Sequence, residues 1–369
     1  MGNWAEECEA KILAKMPAVA ERSRGIIPYS AQNGRFDDMS KDRIGWWTNG
    51  FWGGLMWQLY AADPREVYRE NAIRTEKEMD RCFLDYRSMD HDSGFRWLPT
   101  SLARLRVEDS PESYNRLRLA ADNLAGRFNP IGNYIRAWND WDESKNGGWA
   151  IIDCMMNLPL LYWAGKTIED PRYTEIALRH ARTAAQHFVR EDGSVCHIVE
   201  FNPATGAFVK SLGGQGLGVG SSWTRGQAWG LYGFTLSYRH TKKEEFLDTA
   251  RKIADAFLRR IPASGLIPVD FDQPLDCGWE DSTAAAIAAC GFLELSKYVN
   301  NITYGEAGER LLRTLAEKRC NFDPGTDELV EKCTAAYHDE KHEFPIIYGD
   351  YYFVEGILRL TGKGIFIWG

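Results

Sequence analysis

Asp153 and Asp92 are the two residues whose surroundings most need explaining. Asp153 lies in Ile151-Ile-Asp-Cys-Met-Met-Asn157, and a carboxylate among such apolar neighbours is costly to bury without a partner or a task. Asp92, in Asp90-His-Asp-Ser-Gly-Phe95, reads either as the N-cap of a helix or as a second acid. Two carboxylates meeting in one cleft are the usual equipment for glycoside chemistry, one of them holding a proton at neutral pH through burial and its neighbour's charge. The aromatic supply suits the same chemistry, because sugars present C–H faces that stack on indole rings. Trp46, Trp47, Trp52, Trp57, Trp97, Trp138, Trp141, Trp149, Trp223 and Trp229 all stand in or near the same kind of segment. Trp57, deep in an apolar run, reads as core, whereas Trp47, Trp138 and Trp229 stand beside polar residues at helix entrances and read as ligand contacts.

Further polar candidates come from Ser222-Trp-Thr-Arg-Gly-Gln-Ala-Trp229. Arg225 and Gln227 open a helix there, where a guanidinium and free N–H groups suit an anionic ligand; a structural bridge from Arg225 to Asp281 or Asp350 is the competing reading. His197 and Gln215 bracket a glycine-rich excursion and can donate hydrogen bonds to a ligand. Gly213 to Gly220 lacks the lysine and hydroxyl residue that end a phosphate loop.

The elements that must position these groups are helices of two alternating kinds. Gly50 to Ala61, Gly94 to Arg106, Ile151 to Gly165, Trp223 to Tyr238, Ser282 to Val299 and Asp350 to Leu360 are apolar nearly all round. Between them lie amphipathic segments: the N-terminal stretch to about Met16, Pro64 to Asp85, Pro111 to Arg127, Pro171 to Val189, Glu244 to Arg260 and Tyr304 to Lys318. An all-round apolar helix must be covered on every side and a one-sided helix can face water, so the first set forms an inner ring and the second an outer one. Alternation then makes all inner helices run the same way, with their N-termini converging on one cleft. The expectation is an all-α, (α/α)6 barrel filling residues 1–369 as a single catalytic domain. The excursion from Gly193 to Ser222 reads as a short hairpin or a lid.

Composition narrows the classes. At 369 residues, 44% apolar and 26% charged, the chain has globular composition; 44 basic against 52 acidic residues, with no Lys/Arg stripe, argue against nucleic acid or an anionic membrane as partner. The start lacks the basic and apolar regions of a signal peptide, and the eight cysteines are scattered without a C-x-x-C pair, so reduced thiols in the cytoplasm and no metal site are expected.

The motifs also resemble a known family, the unsaturated glucuronyl hydrolases of glycoside hydrolase family 88. The matching stretches are Trp47-Thr-Asn-Gly-Phe-Trp52, His91-Asp-Ser-Gly-Phe95, Ile151 to Ala164, Ser222 to Phe234, Asp281-Ser-Thr-Ala-Ala285 and Tyr348-Gly-Asp-Tyr-Tyr-Phe353, in order along nearly the whole chain. The resemblance implies the (α/α)6 barrel and a small oligosaccharide substrate ending in a 4-deoxy-4,5-unsaturated glucuronic acid, the product of a polysaccharide lyase. It implies Asp153 as general acid/base, hydrating the vinyl ether, and Asp92 as the carboxylate that binds sugar hydroxyls and raises its partner's pKa. Trp47, Trp138 and Trp229 match stacking positions, and His91, His197, Gln215 and Arg225 match polar substrate-binding positions. No cofactor is implied. Two departures stand out: Asn49, where aspartate is expected, and the lack of any serine between Gly325 and Gly349, which tells against strong sulfate preference. Competing readings are an unsaturated rhamnogalacturonyl hydrolase, an ordinary inverting glycosidase using the two aspartates as acid and base, and a non-catalytic oligosaccharide-binding module.

Overall fold

The computed structural model describes residues 4–140 and 145–369. In chain order its helices are α1 (Trp4–Arg22), α2 (Asn49–Ala62), α3 (Glu66–Glu78), α4 (Ser93–Trp97), α5 (Ala103–Val107), α6 (Pro111–Gly126), α7 (Leu158–Thr167), α8 (Pro171–His187), α9 (Thr224–Thr241), α10 (Glu244–Arg260), α11 (Ser282–Leu295), α12 (Ile302–Lys318) and α13 (Ile347–Thr361). α4 and α5 are one rod joined by a π turn, Leu98–Leu102. Pro99 causes it, since its nitrogen has no hydrogen to bond back and its ring crowds the preceding turn.

The inner helices pack in the order α2, α4, α7, α9, α11, α13 and back to α2, which closes the ring. Each outer helix covers the inner helix paired with it: α3 lies on α2, α6 on α4, α8 on α7, α10 on α9, α12 on α11, and α1 on α13. Burial follows the expected division. In α9 every residue from Thr224 to Ser237 is buried, whereas α10 buries only a stripe of Phe246, Leu247, Ala250, Ile253, Ala254, Ala256 and Phe257. Prolines at the starts of α6 and α8 sit where a missing N–H does no harm, and the Ser110 and Asp170 side chains accept from the first-turn N–H groups of those helices. Among the described residues no helix is long and apolar enough to cross a membrane.

Strands are short and lie at the end of the ring where the inner helices begin. Ile198–Phe201 pairs antiparallel with both Trp149–Ile151 and Phe208–Leu212, so the excursion after Gly193 is a hairpin docked on a third strand. That strand corrects one boundary. The apolar run from Ile151 is not helical throughout: it leaves the sheet, makes a 3-10 turn over Ile152–Met156 and becomes α-helical only at Leu158. Pro159 in the first turn of α7 explains the delay, because it cannot donate to the preceding turn and it restricts Leu158 before it.

Candidate functional site

Asp153 stands on that 3-10 turn, between the sheet and α7, and Asp92 at the N-cap position of α4. Asp92 does not cap: no first-turn N–H donates to its side chain, and its Oδ1 accepts instead from Asn157 Nδ2 at 3.3 Å. Asn157 joins the two acidic segments. The same Nδ2 donates to the carbonyl of Asp153 at 3.3 Å, while Asn157 Oδ1 accepts from Phe95 N at 2.8 Å. Gly94 permits this approach, since a Cβ there would lie 2.6 Å from Asn157 Cα.

Both carboxylates face a cavity of about 590 Å³ at the N-terminal ends of the inner helices. Trp47, His91, Asp92, Trp138, Asp153 and Gln215 line it, together with residues 42–46 and a second rim segment, Asp85 and residues 87, 88 and 90. Trp47 presents its indole above Tyr348 and Phe95, with ring centroids 4.9 and 5.4 Å apart, and Trp138 packs on Trp149 at 6.2 Å. Trp141 lies outside the described residues. Asn49, fully buried, donates to the carbonyls of Arg43 and Ile44 at 3.0 and 2.7 Å, so it braces the loop that carries Trp47. A carboxylate at that position has no hydrogen to donate to those carbonyls.

The electrostatics separate this cavity from an ordinary polar cleft. Burial pushes the Asp153 carboxyl up to about 7, against the pull of Arg225. Burial also raises Asp92 well above the usual carboxylate range, with Asp90 and Asp153 adding to the rise while Arg96 and Asn157 oppose it. The pair therefore holds a proton at neutral pH, and Asp153 Oδ1 is buried with no hydrogen-bond partner among the described residues. His197 Nε2 stands 3.8 Å from that oxygen, and His91 Nε2 stands 3.5 Å from Asp92 Oδ1. Burial drives both imidazoles down to about 3, so both are neutral near pH 7. The backbone N–H of Gln215 donates to His197 Nδ1 at 2.9 Å, which leaves the His197 proton on Nε2, turned towards Asp153.

Three sequence expectations are corrected. Arg225 is 1% exposed and is held inside the protein: it pairs with Asp281 at 3.0 Å, donates to the carbonyls of Thr334 and Ala335, and lies over the Trp223 and Tyr348 rings, while its Nε has no partner among the described residues. Of its two proposed structural partners, Asp281 is the one used; Asp350 accepts from the N–H groups of Leu329 and Val330 instead. Trp229 is fully buried, packed on Phe95 at 5.0 Å and Tyr352 at 5.5 Å, one layer beneath the cavity. Gln227 likewise turns inward, bonding Val195 N and the Gly193 carbonyl. Sequence reading had in turn passed over Asn157 and Arg96. The first was visible only as the last residue of the Asp153 segment, and the second, 1% exposed and paired with Asp90 at 3.0 Å, looks in sequence like any helical arginine.

Comparisons with known proteins place the chain in a family. The model of Glycosyl Hydrolase Family 88 matches residues 19–368. The unsaturated glucuronyl hydrolase of Bacillus sp. (strain GL1) is 37% identical over 325 residues, 85% of this chain and 86% of that one. The unsaturated chondroitin disaccharide hydrolase of Streptococcus pyogenes serotype M1 is 34% identical, covering 85% of this chain and 80% of its own. The crystal structure of the Bacillus sp. GL1 enzyme superposes with a TM-score of 0.93 at 30% identity, over 99% of this chain and 98% of that one. With a family match over nearly all its length and the same ring of helices, this chain belongs to glycoside hydrolase family 88.

Proposed function

We propose that the chain, acting as one catalytic domain, removes the 4-deoxy-4,5-unsaturated glucuronic acid from the non-reducing end of lyase-generated oligosaccharides of the glycosaminoglycan type. The observation that carries this reading is the Asp153 carboxyl: it lines an aromatic cavity, its Oδ1 has no hydrogen-bond partner among the described residues, and its pKa of about 7 lets it both give and take a proton near neutrality.

The chemistry follows from hydration of an enol ether. Protonated Asp153 delivers its proton to C4 of the C4=C5 bond while positive charge builds at C5 and the ring oxygen. The resulting carboxylate takes a proton from the water that adds to C5, which restores the acid. The product is a hemiketal; it opens to a ketone at C5, and C1, now a hemiacetal, expels the leaving sugar. One acid/base group and one water suffice, as the arrangement offers. Asp92 binds the sugar hydroxyls, and its coupling to Asp153 keeps a proton on the pair. Trp47 and Trp138 stack on the sugar, His91 and Gln215 contact its polar groups, and His197 orients Asp153. Arg225 moderates the Asp153 charge from behind, and Trp229 supports the floor. Eight free thiols, six of them buried, support a reducing, cytoplasmic setting.

The test is the loss of ultraviolet absorbance of the conjugated double bond when the purified protein meets unsaturated disaccharides. Decay by the wild type, and none by Asp153→Asn, is expected; decay at wild-type rate in that variant would overturn the assignment.

A further inference from the structure

Two segments meet at the mouth of the cavity. The loop of residues 42–47 leads into α2, and Asp85–Asp90 leads towards α4. They are joined tightly: a Cβ on Gly45 would lie 2.5 Å from Ser88 Cβ, and Arg96 from below donates to the Gly45 carbonyl at 2.6 Å. This contact sets Arg43 and Arg87 on one rim, both exposed and both lining the cavity.

Among the described residues neither guanidinium donates to another group. The Arg43 guanidinium carbon stands over the Trp46 ring, 4.0 Å from its centroid, a contact that uses none of its N–H donors. Arg87 contributes only its backbone N–H, to Asp85 Oδ1 at 3.0 Å. Among the described residues neither has a carboxylate within ion-pair distance, whereas Arg96 and Arg225 beneath them are both paired. Of the acidic groups on the same rim, Asp90 is paired with Arg96, and Asp85 is engaged by Arg87 N and by Ser88 Oγ at 2.6 Å; Asp42 is exposed. Among the described residues the rim thus carries two cations whose guanidinium groups have no protein acceptor.

We infer that Arg43 and Arg87 form an anion-reading subsite for the leaving sugar, taking a sulfate ester or a carboxylate carried by the residue attached to C1 of the unsaturated uronate. This rests on the function proposed above. The unsaturated ring must reach Asp153 at the bottom, so everything attached to C1 projects to the mouth, where an exposed guanidinium offers the paired N–H donors that suit a planar or tetrahedral oxyanion.

The test compares kcat/KM for three substrates: unsaturated glucuronyl-N-acetylgalactosamine, the same disaccharide sulfated on the galactosamine, and an unsaturated disaccharide whose leaving sugar is a uronic acid. In the Arg43→Ala/Arg87→Ala double variant the ratio of anionic to neutral substrate is expected to fall about tenfold, with the neutral substrate hydrolysed nearly as in the wild type. The arm that falls further names the anion. In the wild type that ratio is also expected to shrink as ionic strength rises, and in the double variant to be insensitive to salt. Both ratios unchanged in the folded double variant would overturn the subsite. Failure of the wild type to hydrolyse any of the three would instead overturn the proposed function, and the subsite with it.

Discussion

Glu294 and Glu355, near the ends of α11 and α13, are buried as deeply as Asp92 is at the opposite end of the ring, yet they are treated in the reverse way. Glu294 accepts from Arg239 at 2.8 Å, Lys297 at 2.9 Å and Tyr298 at 2.8 Å, and also from Arg359. Glu355 accepts from Tyr232 at 2.6 Å and from the Trp368 indole at 2.8 Å. Burial alone would raise the Glu294 carboxyl, but Arg359 and Lys297 more than undo this and hold it below its usual range. At the cavity Arg225 offsets the same burial only in part, and Asp153 rises to about 7. One end of the barrel has its charges neutralised and serves as a clamp; the other keeps a proton that can be given away.

The sharpest way to break this contrast is Asp153→Asn. Turnover is expected to fall by roughly a thousandfold or more, in line with the loss of a general acid/base. Stability is expected to rise at neutral pH. A carboxyl whose folded pKa is raised from 3.8 to about 7 contributes its full stability below 3.8 and loses it as pH climbs to 7, because the native state holds the proton that the unfolded chain releases. The amide removes that loss, on the order of a few kcal/mol, so a higher Tm at pH 8 than the wild type, converging at pH 4, is the expected outcome of a thermal melt series. For the wild type, kcat should decline as pH rises through about 7, since the proton donor is then lost.

Glu294→Gln is the mirror experiment. Removing the charge leaves Arg359 and Arg239 without their shared carboxylate in a buried setting, and about 3–5 kcal/mol of stability should go with it. The refolded variant, assayed well below its lowered midpoint, should keep near wild-type kcat/KM. A variant that loses activity while its denaturant midpoint stays in place would show that the two ends are not separable.

A smaller effect is expected from Asn157→Ala, which removes the link between the two acids. Without that donor the Asp92 carboxyl rises further, so the coupled acids release their proton at higher pH. The alkaline limb of the kcat/KM profile should therefore move to higher pH, with a rate loss of about tenfold at its optimum. Gly94→Ala, which displaces Asn157 by steric contact, should move the limb the same way. A rate loss with an unmoved limb would leave Asn157 a role in packing alone.

The contrast between the ends also marks what was legible beforehand. The two rings were readable because all-round apolarity in Ser282 to Leu295 and one-sided apolarity in Glu244–Arg260 leave few ways to cover both. Asp153 was readable because its neighbours are apolar and give it no partner. Direction was the hidden part. Arg225 and Trp229 enter α9 in the same motif, and nothing in residue types says that the guanidinium turns to Asp281 or that the indole sinks against Phe95. The clamp around Glu294 was equally invisible, since its cations come from α9, α13 and the turn after α11, far apart in sequence.

That difference of direction predicts the smallest effect, between two tryptophans that look alike in sequence. Trp47 lines the cavity with part of its ring exposed, so Trp47→Phe should raise KM a fewfold while leaving the melting temperature nearly unchanged, the smaller ring offering less stacking area to the sugar. Trp229 is fully enclosed by Phe95 and Tyr352, so Trp229→Phe opens a small gap beneath the site, should cost about 1–2 kcal/mol in a denaturant titration, and should leave KM close to the wild-type value. If Trp229→Phe raised KM as much as Trp47→Phe does, the indole would have to reach the sugar in the complex. The layer now assigned to the floor would then have to open when substrate binds.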